Sequence, residues 1–516
     1  MKRYLLFTVF VSGMTTMAAE MAASRLIGNV FGTSNLVWAS IIGLILIYLT
    51  LGYFLGGRWA DSNPTAGALY RALAWAAFTV GLVPYVAGPV LRSAATAFEG
   101  LQVTVLAGSF AAVLVLFVVP ITLLGTISPF AIRLSVEDAT SAGRMAGTIY
   151  AVSTLGSFIG TFLPSLVTIP AIGTKNTFLL FGLLLLFVAL AGLGRFASRR
   201  EMLLHLWMPA ALALAALLSA NQAIKSNTGQ VYEAESAYNY IQVQNLNGFT
   251  VLRLNEGQGV HSMYHPDTLQ YGGPWEQFLV GPYFNAGKRP ADVQRMAIVG
   301  LAAGTAARQA TAVYNGLPID GFEIDPQIVE VGREYFHMDM PNLTVHVEDG
   351  RLGLEQSEYK YDIIGVDAYR PPYIPPHMTT REFFAICAAH LTDDGVLTIN
   401  SASTPGDRRL INGLATTMAT VFPSVHIMDI PGTLNTMIFA TKQPTRPEDF
   451  AANLVALVQD PNTHPLLLAA MQTTFAHLQP GYETTTVFTD DLAPIEWIVN
   501  DMVIRFVVGG EVEILQ

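Results

Sequence analysis

Cysteine and charge are both scarce in this 516-residue sequence. Its one cysteine is Cys387, which excludes a disulfide framework and a cysteine-ligated metal site. Charged residues make up 13% of the chain and hydrophobic residues 52%, whereas average soluble domains carry roughly 25% charged residues. This balance excludes a disordered chain and a purely soluble single domain. The length corresponds to about three domains.

The charge is distributed unevenly along the chain. Residues 1–225 contain 13 Lys and Arg against 6 Asp and Glu, whereas residues 226–516 contain 15 against 33. The second part is therefore strongly acidic. Because nucleic-acid phosphates would be repelled by it, we expect no nucleic-acid partner. Cationic ligands would suit it better, although acidity is also common in soluble enzymes.

Long apolar runs fill the first part of the sequence. A helix needs about 20 apolar residues to cross a bilayer. Seven stretches meet this requirement, near 4–30, 35–56, 66–91, 103–130, 145–171, 174–194 and 202–220. They predict an all-α multi-pass membrane domain over residues 1–225, with the lipid bilayer as a partner. The last stretch contains His205 and Pro209 and could instead lie along the membrane surface.

Two ionisable residues, Glu20 and Arg25, fall within the first apolar stretch. Charge at membrane depth is costly, so such side chains usually face a protein interior or a polar cavity. A ligand or proton path would explain them, and so would an internal ion pair or a position near the end of the span. The sequence leaves these alternatives open.

Basic residues predict the orientation of the spans. With seven spans, most of the basic residues, including Lys2 and Arg3, fall on the side of the N-terminus. The positive-inside rule places that side in the cytoplasm. The acidic part would then lie outside the cell, unless the number of spans differs from seven by one.

The sequence pattern changes near residue 229. Short β-like runs separated by Asn-Gly and Gly turns predict a small antiparallel β subdomain over residues 226–285. Strands and helices then alternate over residues 286–516, which predicts an α/β domain with a doubly wound parallel sheet. Ligands bind such sheets at the carboxyl ends of the strands.

Four successive strand ends carry glycine or acidic residues. The turn Gly300–Gly304 would let a ligand approach the backbone and a helix N-terminus, and Glu323 could accept both ribose hydroxyls. Asp349–Gly350 could read an adenine edge, and Asp367 lies where a reacting centre would be expected. Together the four features predict one crevice and favour a nucleoside ligand.

Each of these features also has a purely structural explanation. The glycines could form only a tight turn, and Asp325 and Asp349 could cap the helices that follow them. Asp367 could anchor the loop RPPYIPPHMTT that comes after it.

The segment from about residue 230 to 445 resembles spermidine synthases. The matching stretches are IVGLAAGTAARQ, GFEIDPQIVEVGREYF, VEDGR and YDIIGVDAY. With IPPHMTTREFF, FTDDLAPIEW and the upstream helices, the chain resembles the membrane-fused spermidine-synthase-like proteins of bacteria. The resemblance implies a methyltransferase-type Rossmann domain behind a small β domain, in the inner membrane. Substrate supply implies a cytoplasmic catalytic domain, against the orientation that seven spans predict.

In that family a deprotonated amine attacks the carbon beside the sulfonium of decarboxylated S-adenosylmethionine, and methylthioadenosine leaves. The resemblance implies that Glu323, with Ile324 beside it, binds the ribose end and that Asp349 and Gly350 bind the adenine. Asp367 would match the first acid of the D-x-x-D motif, which orients and deprotonates the amine. The adenosyl compound is a substrate, so no permanently bound cofactor is expected.

Two positions depart from the family pattern. The acid of the family's G-G-G-D-G-G loop is Ala303 here, and the second acid of D-x-x-D is Arg370. An arginine repels a diamine but pairs with a carboxylate. Intact S-adenosylmethionine carries such a carboxylate, which could attack its own γ-carbon without any acceptor. The chain would then be a lyase that releases methylthioadenosine and homoserine lactone.

Aminopropyl transfer stays open beside the lyase, because other acids could hold the amine. The candidates are Glu276, Asp490, Asp491 and Glu496, with His261 or Tyr369 as a base and His261 also near the nucleoside. A third alternative is a non-enzymatic nucleoside sensor that regulates a membrane transporter or exporter. No metal is expected, since His261 and His265 have no obvious acidic partner, and a homo-oligomer is compatible with the sequence.

Overall fold

The computed structural model of the protein describes residues 1–31, 35–98, 104–136, 141–219, 227–255, 259–369, 374–404 and 406–508. The chain divides into two compact units. The helical unit comprises Met1–Asn227 and Glu233–Tyr240, and the α/β unit comprises Thr228–Tyr232 and Ile241–Gln516.

Eight α-helices form the described part of the helical unit. They are α1 (Lys2–Phe31), α2 (Asn35–Ser62), α3 (Ala66–Phe98), α4 (Thr104–Ser135), α5 (Ala142–Leu163), α6 (Ile169–Phe196), α7 (Arg199–Leu204) and α8 (Trp207–Leu218). A π-helical turn, Pro164–Thr168, joins α5 to α6. Six helical stretches of the described chain are long and apolar enough to cross a membrane, which fits a membrane-fused architecture.

The seven predicted stretches correspond to these six candidates, because two of them share one 55-residue stretch, Ala142–Phe196. Three predicted stretches extend a few residues beyond their candidates, and residues 103 and 220 lie outside the described residues. Gly173 interrupts this stretch with non-helical backbone angles, φ 79° and ψ 167°. The last predicted stretch is itself broken between α7 and α8. With 12 residues, α8 is about 18 Å long, which is short of the hydrocarbon core of about 30 Å.

An acidic side chain supports the helix that restarts after Gly173. Glu235 accepts hydrogen bonds from the Thr174 backbone N–H at 2.7 Å and from the Thr174 hydroxyl at 2.8 Å. The amide of Asn29 at the end of α1 donates to the same carboxylate at 3.0 Å. A carboxylate at this position satisfies a backbone donor that has no partner within the helix.

Glycines allow α1 and α5 to pack with their backbones almost in contact. A β-carbon at Gly156 would lie 2.0 Å from the Phe10 carbonyl oxygen, and one at Gly160 would lie 2.1 Å from that of Met14. The side chain of Ser157 also donates to the Gly13 carbonyl at 3.2 Å. Small residues at helix crossings permit this close approach in membrane proteins.

The α/β unit contains two sheets. A four-stranded sheet holds, in chain order, β1 (Gln230–Glu235), β2 (Tyr240–Leu246), β3 (Phe249–Leu254) and β4 (Val260–Tyr264). A seven-stranded sheet holds β5 (Met296–Val299), β6 (Ile319–Phe322), β7 (Leu343–His346), β8 (Tyr361–Val366), β9 (Leu391–Ala402), β10 (Ser424–Asp429) and β11 (Asn435–Thr441). Its helices are α9 (Thr305–Val313), α10 (Pro326–Tyr335), α11 (Gly350–Gln356), α12 (Arg381–His390), α13 (Arg409–Met418), α14 (Pro447–Gln459), α15 (Pro465–His477) and α16 (Ile495–Val508).

The larger sheet has the strand order β10-β11-β9-β8-β5-β6-β7. The five strands from β9 to β7 are parallel, whereas β11 and β10 pair antiparallel. The sheet is thus mixed and Rossmann-like, rather than wholly parallel as the strand and helix alternation predicts. The connection from β10 to β11 is too short for a crossover helix, so these two strands form a hairpin.

The strands β5 and β8 lie side by side at the centre of this sheet, and every residue in them is buried. Strands of parallel sheets covered on both faces have this uniformly apolar character. From β5 the chain adds β6 and β7 on one side and then returns to place β8 on the other. The strand order reverses between β5 and β8, which is where open α/β sheets bind ligands.

The close contact between α1 and α5 predicts opposite effects for two alanine substitutions in α5. Gly156→Ala should lower the melting temperature of the detergent-solubilised chain, because overpacking costs about 1–3 kcal/mol. Gly147→Ala, whose added β-carbon would meet nothing within 4 Å, should be neutral or stabilising, since alanine favours a helix by up to about 1 kcal/mol. Equal melting temperatures for the two variants would contradict the packing described.

Candidate active site

The turn after β5 is pressed against the end of β8. Gly300 has φ +88°, and a β-carbon on it would lie 2.5 Å from the Ala368 nitrogen and 2.6 Å from the Asp367 carbonyl oxygen. The Gly300 N–H also donates to the Phe322 carbonyl at the end of β6, at 3.0 Å. A residue with a side chain would force these strand ends apart.

Ala303 of the same turn lies in an apolar environment. It is 2% exposed and belongs to a buried hydrophobic cluster that includes Ile328 and Val331. Its N–H donates to the Ser262 hydroxyl of β4 at 3.0 Å. The position thus holds a packed methyl group, where a carboxylate would need a polar partner.

The turn continues into α9 at Gly304, which has φ +82°. Thr305 follows, and its hydroxyl accepts from the Met263 N–H and donates to the Met263 carbonyl, each at 2.9 Å. These two bonds fix the last strand of the small sheet, β4, to the start of α9. The small sheet is therefore held against the turn that follows β5.

Glu323 at the end of β6 is 8% exposed and bonded to the backbone. One carboxylate oxygen accepts from the Ala302 N–H at 2.9 Å and the other from the Asp325 N–H at 3.1 Å. Burial raises the pKa of Glu323 to about 7, although these bonds oppose the rise. Each oxygen keeps a lone pair for a further donor. Ile324 beside it is 40% exposed.

Asp325 and Asp349 both cap the helices that follow them, as their structural explanation predicts. Asp325 accepts from the Gln327 N–H at 3.1 Å at the start of α10. Asp349 accepts from the Arg351 and Leu352 N–H groups at 3.0 and 3.1 Å at the start of α11. The second oxygen of Asp349 lies 3.1 Å from His377 Nε2, and this contact is the main reason that its pKa is lowered.

Gly350, next to Asp349, packs tightly under the same crevice. A β-carbon there would lie 2.5 Å from Cγ1 of Val299, the last residue of β5. The Asp349–Gly350 turn is therefore held against the central strand. Its carboxylate is already used in capping, so a nucleobase contact by Asp349 and Gly350 stays a prediction.

Asp490 is bound in an ion pair rather than left open to a ligand. Arg351 donates to its two oxygens at 2.8 and 2.7 Å, and the Thr380 hydroxyl donates at 2.7 Å. Arg351 is the main reason that the pKa of Asp490 falls to about 2. This network ties the start of α11 to the start of α12. It leaves Asp490 little capacity to hold an amine.

Asp367 follows β8 and has one side-chain partner among the described residues. The Asn400 amide at the end of β9 donates to it at 2.9 Å. Burial raises the pKa of Asp367 to about 7, with the Asn400 bond opposing the rise. A carboxyl group with this pKa exchanges its proton near neutral pH, which suits a general base.

Tyr369 is anchored to the neighbouring strand. The Ala402 N–H donates to its phenol oxygen at 2.6 Å, and burial raises the pKa of Tyr369. The phenol thus stays protonated at neutral pH and cannot act as a base there. Arg370 lies outside the described residues, so its role stays a prediction.

His261 lies on β4, and its buried Nε2 has no hydrogen-bond partner among the residues that the structure describes. Burial, with a smaller contribution from Arg253, lowers the pKa of His261 to about 4. The imidazole is therefore neutral at pH 7, with one nitrogen free for a ligand. His265 accepts from the Asp267 N–H at 3.1 Å. Among the described residues, no group of three His, Cys, Asp or Glu could hold a metal.

Of the remaining amine-binding candidates, Glu276 is already engaged. Glu276 accepts from three consecutive backbone N–H groups, those of Tyr271, Gly272 and Gly273, at 2.5, 3.0 and 3.1 Å. Asp491 is exposed, and Glu496 lies in the first turn of α16. Glu276 therefore shapes a loop.

Sequence reasoning did not identify Asn400, Ser262 or His377, which hold Asp367, Ala303 and Asp349 in place. A signal existed for Asn400 alone. It follows the apolar run VLTI in β9 and is the first amide or acid after that run. Ser262 and His377 come from segments whose contacts depend on tertiary folding.

Comparison with known proteins gives a consistent result. The family described as spermine/spermidine synthase domain matches residues 291–452. The C-terminal part of the chain contains a spermidine synthase domain. A probable polyamine aminopropyl transferase of Bifidobacterium longum is 33% identical over 284 residues, which are 52% of this chain and 62% of the relative. The match thus spans less than two thirds of that relative.

A second curated protein and a solved structure are also similar to parts of this chain. The polyamine aminopropyltransferase of Vibrio vulnificus is 29% identical over 214 residues, covering 39% of this chain and 68% of its own length. A crystal structure of a probable spermidine synthase from Corynebacterium glutamicum aligns with a TM-score of 0.38 at 19% identity, covering 51% of this chain and all of that one.

The contact of Gly300 with Asp367 predicts a large effect of substitution. Gly300→Ala should destabilise the α/β unit by about 2–5 kcal/mol, because a left-handed backbone and an overpacked contact both add cost. Gly316→Ala measures the cost of the left-handed backbone alone, because Gly316 has φ +80° and a β-carbon added there would meet nothing within 4 Å. It should destabilise the unit by about 1–2 kcal/mol. Thermal melts of both variants test this, and equal losses would exclude the steric contribution.

Proposed function

We propose that the α/β unit binds decarboxylated S-adenosylmethionine and transfers its aminopropyl group to an amine, releasing methylthioadenosine. The observation that carries the proposal is Asp367, a half-buried acid at the switch point of the sheet whose pKa is raised to about 7. The similarity to polyamine aminopropyltransferases supports it.

The transfer needs a neutral amine, because a protonated amine has no lone pair. Asp367 accepts one proton from the amine, and the nitrogen then attacks the carbon beside the sulfonium. The carbon–sulfur bond breaks, and its electron pair neutralises the sulfur of methylthioadenosine. Asn400 donates to the ionised form of Asp367 and so favours the state that accepts the proton.

The nucleoside end is expected to lie across the neighbouring strand ends. Glu323 has oxygens that can accept from two ribose hydroxyls, and burial makes each such bond stronger than it would be in water. His261 Nε2 is buried and neutral and has no partner in the described part of the chain, so it offers one specific hydrogen bond to a ligand. These residues orient the substrate and take no part in bond breaking.

A second candidate reaction is the acceptor-independent lyase, and the packing of Ala303 favours it. A methyl group occupies the place where the family resemblance implies an acid for the aminopropyl amine. Without that acid the pocket discriminates less against an intact S-adenosylmethionine, whose carboxylate Arg370 could pair with. The carboxylate oxygen would attack the γ-carbon, and methylthioadenosine would leave beside homoserine lactone.

Location in the bacterial inner membrane is part of the proposal, with the α/β unit on the cytoplasmic side. Six apolar helices long enough to span a bilayer support a multi-pass chain. The adenosyl substrate is a charged cytoplasmic metabolite, which favours that side for the α/β unit.

Measuring methylthioadenosine release by the full chain in detergent distinguishes the transferase, the lyase and the sensor. Release only with the decarboxylated substrate and putrescine supports transfer. Release from intact S-adenosylmethionine alone supports the lyase. Binding of both compounds without any release supports the sensor and overturns both reactions. Arg370→Asp should weaken use of the intact compound more than use of the decarboxylated one, and Arg370→Gln controls for the loss of the side chain.

Transfer predicts a specific pH dependence. Since the pKa of Asp367 is raised to about 7, the carboxylate form is lost as the pH falls through 7, and kcat/KM should fall with it. Asp367→Asn should lower the rate about 10²–10⁴-fold, the typical contribution of a general base. Asn400→Ser should move the midpoint of the pH profile to higher pH, because the ionised form of Asp367 loses the amide that donates to it. A profile unchanged in Asn400→Ser would contradict this role of Asp367.

A further inference from the structure

The described helices α1 to α8 of the helical unit contain three acidic side chains, and two of them are paired. Asp61 accepts from Arg133 at 3.1 Å, and Glu201 accepts from Arg71 at 2.8 Å. Both pairs lie near helix ends. The third acid, Glu20, is 8% exposed and has neither a hydrogen bond nor an ion pair with any described residue.

Glu20 lies deep within its helix. It is the nineteenth of the 30 residues of α1, which places it about 5 Å from the helix midpoint at 1.5 Å per residue. A hydrocarbon core of about 30 Å centred on this helix would enclose it. An ionised carboxylate without a partner is very costly in such a place. The neutral acid, which carries a proton, is the form that can be buried.

Glu20 is part of a regular row of polar residues. At every fourth position α1 carries a polar side chain, which together we call the polar stripe: Thr8, Ser12, Thr16, Glu20 and Ser24. Residues four apart are neighbours on one helix face, about 5–6 Å between β-carbons. The first four are at most 9% exposed, so the stripe runs inside the helical unit.

The hydroxyl groups of the polar stripe can pass on a proton. Thr8 donates to the Tyr4 carbonyl and Thr16 to the Ser12 carbonyl, each at 2.9 Å, and Ser24 donates to the Met21 carbonyl at 2.7 Å. Each hydroxyl therefore keeps lone pairs that can accept a further proton donor. No described hydrogen bond joins the side chains of two members of the stripe, so each hydroxyl must rotate away from its carbonyl before it can donate to a neighbour and pass a proton along the row.

An irregular segment of helix packs against α1 near the depth of Glu20. Phe10 contacts Gly156 and Met14 contacts Gly160, and continuing this register places Glu20 level with the π-helical turn Pro164–Thr168, which packs on α1. Pro164 has no N–H, so the ordinary helical bond to the Gly160 carbonyl cannot form. Turns of this kind recur at functional sites.

Charged groups on the helices around α1 lie toward the helix ends. Among the side chains that the structure describes, they are Arg58 and Asp61 on α2, Arg71 on α3, Arg133 on α4, Arg144 on α5, Lys175 and Arg195 on α6, and Lys2, Arg3 and Arg25 on α1 itself. The tyrosines of these helices are Tyr4, Tyr48, Tyr53, Tyr70, Tyr85 and Tyr150. Among the described residues, none of these groups bonds to Glu20.

We propose that Glu20 binds an exchangeable proton in the core of the helical unit and that the polar stripe is the path by which this proton arrives and leaves. The ligand class is the proton itself. No second acid or aromatic cage is described around Glu20 that would hold an organic dication. This function belongs to the helical unit and does not depend on the reaction of the α/β unit.

A hydrophobic carbodiimide tests the proposal on the unmodified full chain in lipid nanodiscs. The neutral carboxyl adds across one N=C bond, with the proton going to nitrogen and the carboxyl oxygen to carbon, so nothing leaves. The adduct is located by mass spectrometry of peptides. We expect one adduct at Glu20 whose rate falls about tenfold per pH unit above a midpoint. No adduct, or one that forms at the same rate at every pH, would overturn an exchangeable proton.

Matched variants distinguish a proton-binding role of Glu20 from a purely structural role. Glu20→Gln, which resembles the neutral acid, should abolish the adduct, whereas Glu201→Gln should leave it unchanged. Thr16→Val should slow hydrogen–deuterium exchange of the Glu20 carboxyl, followed by its infrared C=O band, at least about threefold. An exchange rate unchanged in Thr16→Val would exclude the polar stripe as the path. Glu20→Asp should restore a pH-dependent adduct if Glu20→Gln fails to fold.

Discussion

The close approach of the β5 turn to the end of β8 is the constraint on which the candidate active site depends. It exists because Gly300 has no side chain and adopts a positive φ, so that its α-carbon rests against the backbone of Asp367 and Ala368. Asp367 is thereby brought to the point where the strand order reverses. The same turn supplies the N–H groups that bind Glu323 and Ser262. In the proposed reaction, binding of the nucleoside and positioning of the reacting acid would both depend on this one backbone contact.

The acidic side chains near the contact between the β5 turn and the end of β8 limit which reactions this part of the sheet could support. Of the acids named from the sequence, Asp490 and Glu276 are used in the structure by Arg351 and by three backbone N–H groups. Ala303 removes one further carboxylate. Next to the β5 turn, Asp367 and Glu323 remain, and burial raises the pKa of each to about 7. Both proposed reactions neutralise the sulfonium, and a site with few fixed negative charges would favour that step in either of them.

The central sheet could be predicted from the sequence because buried strands and their terminal residues follow simple patterns. Buried runs ending in Gly300, Glu323 and Asp367 predict three strands, and the structure confirms them as neighbouring parallel strands. The ligand crevice at their ends stays a prediction. The hairpin of β10 and β11 could not be predicted in this way, since an apolar run does not reveal strand direction. Asn400 could have been found as a polar strand end. Ser262 and His377 could not, because their contacts join segments far apart in the chain.

Burial of an acid has different consequences in the two units because the surroundings differ. Asp367 has a donor in Asn400, which stabilises the ionised form and keeps proton exchange near neutral pH. Glu20 has no described donor, and its neighbours on the polar stripe are hydroxyls that can both donate and accept. The first arrangement suits an acid that must be ionised before a reaction. The second suits an acid that is neutral at rest and gives up its proton only when a neighbouring group can take it.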